Sequence, residues 1–224
     1  MEQNTWVQAR WPQRRVLSVC RQADELDRLL GGLPAEGTDY KLVSFGSLAA
    51  IGVVRYVAER AVIHRLSVST FRVGPGALKT LCGLYAQGQL EKARFVIGNI
   101  QARDQRKTSA VEQFEALVRA CRSNGWELAV RANHTKLALF DTSEGRYVLE
   151  GSSSFNEAPN WGQFCLTQDG ELYQFYDQAL DQIFASTPPR GAVEPPKEPE
   201  ALSGLEWEKG GGLQWGDRDS PLSW

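Results

Sequence analysis

Strand-like and helix-like segments alternate along the first 125 residues, and that rhythm restricts the chain to a small set of folds. Residues 41–45 read as a short strand, and Ser47 is placed to cap a helix running to about Arg60. Residues 62–70 are rich in β-branched side chains and predict a second strand. Gly74-Pro75 opens another helix, proline being tolerated in a first turn, and residues 94–98 predict a third strand. Ser109 and Glu112 form a capping box, and Phe114, Leu117, Val118 and Cys121 carry one apolar face to Asn124-Gly125. Upstream, Ala23, Leu26, Leu29 and Leu30 give residues 20–30 a helical spacing that Gly31-Gly32 ends, so residues 1–39 read as a helical extension.

After Gly125 the period shortens. Residues 126–132, 134–140 and 146–151 are three strand-like runs, with Thr142-Ser-Glu-Gly145 as the turn between the last two. Residues 171–185 predict a final helix. The expected fold class is α/β, a mixed β-sheet sandwiched by helices.

From Thr187 the composition changes to paired prolines and a Gly210-Gly211-Gly212 run. Residues 1–186 are therefore expected to form one domain and 187–224 a disordered tail. The tail holds seven acids and four bases, which leaves the remainder close to neutral. Its Trp207, Trp215 and Trp224 admit two readings, solvated disorder or a peptide that docks on a protein partner. No apolar run reaches 18 residues, and residues 1–15 lack the pattern of a secretory signal, so no membrane association is expected. Cys20, Cys82, Cys121 and Cys165 are far apart, never in a C-x-x-C pair, and only two histidines accompany them. A structural zinc site is not expected, and scattered single cysteines suit a cytoplasmic protein.

The chemistry-bearing segment is His134-Thr-Lys136-Leu-Ala-Leu-Phe-Asp141. On a strand, His134 and Lys136 point the same way, with Leu137 and Leu139 opposite them. An ammonium beside an imidazole suits a phosphate: the lysine neutralises non-bridging oxygens and the histidine serves as nucleophile or proton donor near neutral pH. The strand after the turn ends in Gly151-Ser152-Ser153-Ser154-Phe155-Asn156, whose hydroxyls and amide are candidate phosphate ligands, Ser152, Ser154 and Asn156 foremost. The other histidine, His64, has no lysine two positions on and reads as structural.

H-x-K-x4-D followed by G-S and a nearby asparagine resembles the HKD signature of the phospholipase D superfamily, on His134, Lys136, Asp141, Gly151, Ser152 and Asn156. The resemblance spans about residues 40–185. It implies a phospholipase D-like fold, no cofactor and no metal, and catalysis by His134, Lys136 and Asp141. It implies further a phosphohistidine intermediate, with a second HKD histidine protonating the leaving group. One motif per chain then implies a homodimer that shares a pocket, as in small bacterial nucleases and phage-type members. The G-S-x-N element departs from the pattern: Ser154 stands where asparagine is usual, and Asn156 follows two positions later. No acid lies near Gln163 either, Glu157 being the nearest.

The expected function is a metal-independent phosphodiesterase, a nuclease acting on DNA or RNA, with bases in residues 94–107 and Arg131 as a backbone track. A lipid-headgroup phosphodiesterase fits less well, for want of an amphipathic surface segment. The two departures leave an alternative open, a catalytically weak or inactive phospholipase D-like module that binds nucleic acid or a protein partner.

Overall fold

The structure is a computed structural model that describes residues 14–20, 25–45, 48–98, 108–153, 155 and 161–186. The described residues form eight strands and five helices in three layers. The strands are β1 (Arg14–Cys20), β2 (Thr38–Phe45), β3 (Ile63–Thr70), β4 (Ala93–Gly98), β5 (Glu127–Arg131), β6 (Leu137–Thr142), β7 (Gly145–Gly151) and β8 (Trp161–Gln168). The helices are α1 (Leu26–Leu30), α2 (Ala50–Ala58), α3 (Pro75–Ala86), α4 (Thr108–Asn124) and α5 (Gly170–Ala185).

All eight strands join one mixed sheet in the order β1-β2-β8-β7-β6-β3-β4-β5. The pairs β1–β2, β3–β4 and β4–β5 are parallel, and β8, β7 and β6 are inserted antiparallel between the two parallel groups. Alternation along the strands gives the sheet two buried faces. Leu42, Val68, Phe95, Ala138, Phe140 and Leu166 meet the apolar sides of α2, α3 and α4 in the larger core. Val96, Ala129, Leu137, Leu139 and Val148 meet Tyr173 and Leu180 of α5 on the opposite face.

Sheet order places the C-terminal ends of β2, β3, β4, β5 and β7, and the N-terminal ends of β6 and β8, along one edge. Open α/β sheets bind ligands at such an edge.

The expected α/β class and the expected β2, β3, β4 and β5 hold within a few residues, and so do α3 and α5. Four local readings are corrected. Cys20 ends strand β1 rather than starting a helix: β1 pairs in parallel with β2, and among the described residues of 1–39 the α-helix is confined to Leu26–Leu30, closed by Gly31 at φ 68°. The N-cap of α2 is Ala49, not Ser47, and Ser47 lies outside the described residues. Helix α4 already includes Thr108, so Ser109 stands within the helix rather than at its cap. Most relevant to function, β6 begins at Leu137, and His134 and Lys136 precede it instead of lying on it. Strand β3, the neighbour of β6, pairs with it only as far as Ser69 opposite Leu137, so the residues before Leu137 run past that ladder. The tail, residues 187–224, with its three tryptophans, lies outside the described residues.

Candidate active site

The segment 133–136 sits at the sheet edge defined above, and its conformation is set by Asn133. The Asn133 amide donates to Ser69 Oγ at 3.0 Å, Val96 O at 3.0 Å and Thr70 O at 3.3 Å, which pins the segment across the ends of β3 and β4. Asn133 Oδ1 in turn accepts from the Thr135 N–H at 2.9 Å and from the Thr135 hydroxyl at 2.8 Å. This is an Asx-type turn, a local geometry that asparagine favours because its side chain mimics a backbone carbonyl. Thr135 Oγ1 also lies 2.5 Å from Ser69 Oγ.

His134, between the two, is exposed, and its ring stands 5.7 Å from that of Phe71, tilted by 56°. Lys136 is half-buried and its Nζ donates to the His134 carbonyl at 3.1 Å. The Lys136 carbonyl accepts from Gly151 N–H at 3.2 Å, one rung beyond the β6–β7 ladder. That bond brings the Gly151-Ser152 end of β7 beside the lysine.

A small, mostly apolar recess beside Lys136 is lined also by Ala50, Leu137, Ala138, Leu149, Gly151, Ser153, Phe155 and Phe164. Ala50 opens α2, whose cap residue Ala49 offers no side-chain oxygen and whose first turn carries no acid. In that turn the Gly52 N–H is taken by the Ala49 carbonyl at 2.9 Å, and the helix start carries the partial positive charge of any helix N-terminus. Glycine at 151 is a packing requirement: a Cβ there would lie 2.8 Å from Phe164 Cδ1 and 3.0 Å from the Gln163 carbonyl.

Of the residues that the sequence suggested, the structure brings together His134, Lys136 and the β7 terminus that carries Ser152. Ser152 is tied into the hairpin with β8, its N–H donating to Gln163 O and its hydroxyl accepting from Gln163 N–H, both at 3.0 Å. Ser154 and Asn156 lie outside the described residues, as does Glu157. Asp141 is not brought to the cleft. It lies five residues along β6 from Lys136, roughly 17 Å at the usual strand rise, where it pairs with Arg146 at 3.4 Å.

The basic track is corrected in part. Arg94 is only 5% exposed and is ion-paired with Asp177 and Asp181 beneath α5, so it cannot meet a phosphate. The Arg131 guanidinium donates to the carbonyls of Val130 and Ser186. The other bases of that stretch lie outside the described residues. His64 occurs near the opposite end of β3, 3.2 Å from Glu91. Sequence reasoning missed Asn133, Thr135, Ser69 and Phe71. The asparagine two residues before a threonine was the available signal for an Asx turn. The partnership with Ser69 spans 66 positions and has no local trace. Among the described residues no three metal-ligating side chains gather, and no helix is long and apolar enough to cross a membrane.

Comparison with known proteins reveals the fold. No known family pattern and no curated protein sequence matches the chain. Solved structures do: the fold is that of the phospholipase D-like proteins. The chain is similar to Nuc of Salmonella typhimurium, a phospholipase D family member, at a TM-score of 0.50 and 15% identity, over 67% of this chain and 97% of that one. It also matches polyphosphate kinase of Porphyromonas gingivalis at a TM-score of 0.48 and 13% identity, over 69% of this chain and about a quarter (24%) of that enzyme. NucT of Helicobacter pylori matches at 0.43 and 10% identity, over 55% of this chain and 80% of that one.

Proposed function

We propose that this chain is a phosphodiesterase acting on nucleic acid, with His134 as nucleophile and Lys136 as the cation that receives the phosphate. The observation that carries this reading is the joint presentation of His134 and Lys136 on one pinned segment, beside a cleft that α2 and the β7 terminus close. An imidazole nitrogen of His134 attacks phosphorus, forming a P–N bond as the P–O bond to the leaving group breaks. His134 of a second copy supplies the proton to the leaving oxygen. Water then attacks phosphorus, the P–N bond breaks, and the proton of that water passes to the second histidine, which restores both groups. Splitting the reaction in this way replaces one slow displacement by two with stabilised charge. His64 is no internal substitute for the second histidine, because β3 holds it roughly 20 Å from the Thr70 end of the strand. In this reading the partner is another copy of the chain.

The test is cleavage of labelled single- and double-stranded DNA and RNA in excess chelator, by the full chain and by His134→Ala and Lys136→Met. Turnover that persists in chelator and is lost in both variants supports the reading. Activity retained by His134→Ala would sink it.

A second reading has its own observations. The Ser152 hydroxyl is engaged by Gln163 N–H, and among the described residues no carboxylate pairs with His134. The second of these suits a module that binds nucleic acid without cutting it, while the Ser152 O–H stays able to donate to a phosphate in either reading. Tight binding with no turnover by either the native chain or the variants would favour it.

A further inference from the structure

Strand β3 ends at Thr70, and the chain then crosses the functional edge as Phe71-Arg72-Val73 before α3 begins. Both ends of this crossing are fixed. At the start, the Thr70 hydroxyl donates to the Arg72 carbonyl at 3.3 Å, and the Phe71 ring packs beside His134. At the far end, Val73 bridges Phe155, and Gly74 N–H donates to the Phe155 carbonyl at 2.6 Å. Phe155 lines the cleft together with Lys136. Arg72 is thus carried between the histidine and the cleft wall.

The company of Arg72 sets it apart from the arginines that the fold uses in ion pairs. Arg65, Arg94 and Arg146 each face a carboxylate, and Arg60 pairs with Asp27. Among the described residues Arg72 has no acidic partner, and its guanidinium carbon lies 5.9 Å from the centroid of the Phe71 ring. Phe71 and Arg72 are both half-buried. A cation with no acid to neutralise it, next to an aromatic face and one residue from a contact of His134, combines the two elements that hold single-stranded nucleic acid: charge for phosphate and a ring for stacking.

Building on the phosphodiesterase reading above, we propose that Phe71 and Arg72 form a flanking-nucleotide subsite, in which Arg72 takes the phosphate next to the scissile one and Phe71 stacks the intervening base. The pairing selects single-stranded nucleic acid over a lipid headgroup, which carries one phosphodiester and no planar base. It also selects against a duplex, whose bases stack on one another.

The experiment compares the full chain with Arg72→Gln on two substrates. A fluorescent single-stranded oligonucleotide engages the whole subsite. Methyl para-nitrophenyl phosphate, with one phosphorus and no base, reads the chemistry at His134 separately. Arg72→Gln is expected to raise KM for the oligonucleotide about tenfold, the loss of one good contact. The slope of log KM against log salt is expected to shrink by about 0.7, the value for one phosphate on a single strand. Phe71→Leu, which keeps an apolar neighbour for His134, is expected to raise the oligonucleotide KM roughly tenfold through lost stacking. An Arg72→Gln protein with native oligonucleotide KM and native salt slope would overturn the subsite. If the native chain turns over neither substrate, the phosphodiesterase reading fails on its own. Equilibrium binding of the same oligonucleotide then decides the subsite, and equal affinity of native chain and Arg72→Gln overturns it. Loss of affinity for phosphatidylserine vesicles, with oligonucleotide affinity unchanged, would overturn it in favour of a lipid.

Discussion

Asn133 and Thr135 close on each other around His134: Oδ1 of the asparagine accepts both the N–H and the hydroxyl of the threonine, at 2.9 and 2.8 Å. The histidine is therefore held at the centre of a local turn, and Ser69 fastens that turn to β3 through both side chains. Placement of a nucleophile is worth a large part of a catalytic rate, because a shift of about 1 Å can cost 10²-fold.

Thr135→Val should expose this dependence. Valine keeps the shape and loses the bonds to Asn133 and Ser69, at an exposed position where the melting temperature should change little. We expect kcat on a small diester to fall about ten- to a hundredfold. KM should stay near native, and Thr135→Ser, which keeps the hydroxyl, should recover most of the rate. A side-chain NMR readout works even without turnover. The chain has only two histidines, so the His134 signal is identified by its loss in His134→Ala. A native His134 signal and a native kcat in Thr135→Val would show that the turn does not position the ring.

The sequence made the α/β class and most strands legible because period-2 and helical apolar patterns are local, and here they agree with the tertiary structure. The core of the site was legible for another reason: His134 and Lys136 are two apart, and Gly151-Ser152 follows on the next strand. What was not legible depends on distant partners. Strand β1 reads Arg-Arg-Val-Leu-Ser-Val-Cys, weakly patterned, and becomes a strand by pairing with β2. Strand β8 places Phe164, Cys165 and Leu166 in one short apolar run without a sequence alternation, and only its place between β2 and β7 makes it central. Asp141 looked like part of the site because it shares a motif with His134, yet extended backbone carries it to the far end of β6. Arg94 looked like a phosphate ligand because charge is usually solvated, and two acids 83 and 87 positions away changed that.

Arg94→Met tests how far the fold depends on that network. The guanidinium contacts Ser67 through Nε at 2.7 Å and Asp177 and Asp181 through its two terminal nitrogens. Removing the guanidinium leaves Asp177 with Arg65 alone, at 2.6 Å, and leaves the exposed Asp181 to solvent, so we expect a loss of roughly 1.5–3 kcal/mol in urea unfolding, the range for hydrogen bonds to charged groups. The m-value should be unchanged. Arg94→Lys should rescue little, since a single ammonium cannot reach three acceptors arranged for a fork. A loss under about 1 kcal/mol for Arg94→Met, the level of a surface ion pair, would count against this account.

Stability should fall at high pH through two tyrosines. Burial pushes the Tyr56 phenol up to about 12, and burial together with the Glu150 carboxylate, which accepts its hydrogen bond at 2.6 Å, pushes Tyr176 up to about 12. The unfolded phenol ionises near 10. The folded state therefore holds these protons more tightly, and the contribution is complete below about pH 10 and disappears as the pH climbs toward 12. Urea midpoints measured across this window should drop, and Tyr176→Phe should flatten part of the drop. An equal slope in native chain and variant would remove Tyr176 from the explanation.

Gly98→Ala joins stability to the site. A Cβ at Gly98 would lie 2.9 Å from Phe71 Cδ2, 3.1 Å from the Phe71 carbonyl and 3.1 Å from the Asn133 carbonyl. Two of the three obstacles are backbone, one at the end of β3 and one on the His134 segment, so neither can swing aside as a flexible side chain would. The methyl is accommodated only by moving strand ends apart, an overpacking cost of about 1–3 kcal/mol. The displaced groups are those that hold His134, through Phe71 on one side and Asn133 on the other. We therefore expect kcat to fall together with the melting temperature, whereas Arg94→Met, roughly 13 Å away along β4, should lower the melting temperature with kcat intact below the transition. A Gly98→Ala protein that is destabilised yet turns over at the native rate would show that the β4 terminus supports the fold without setting the position of the histidine.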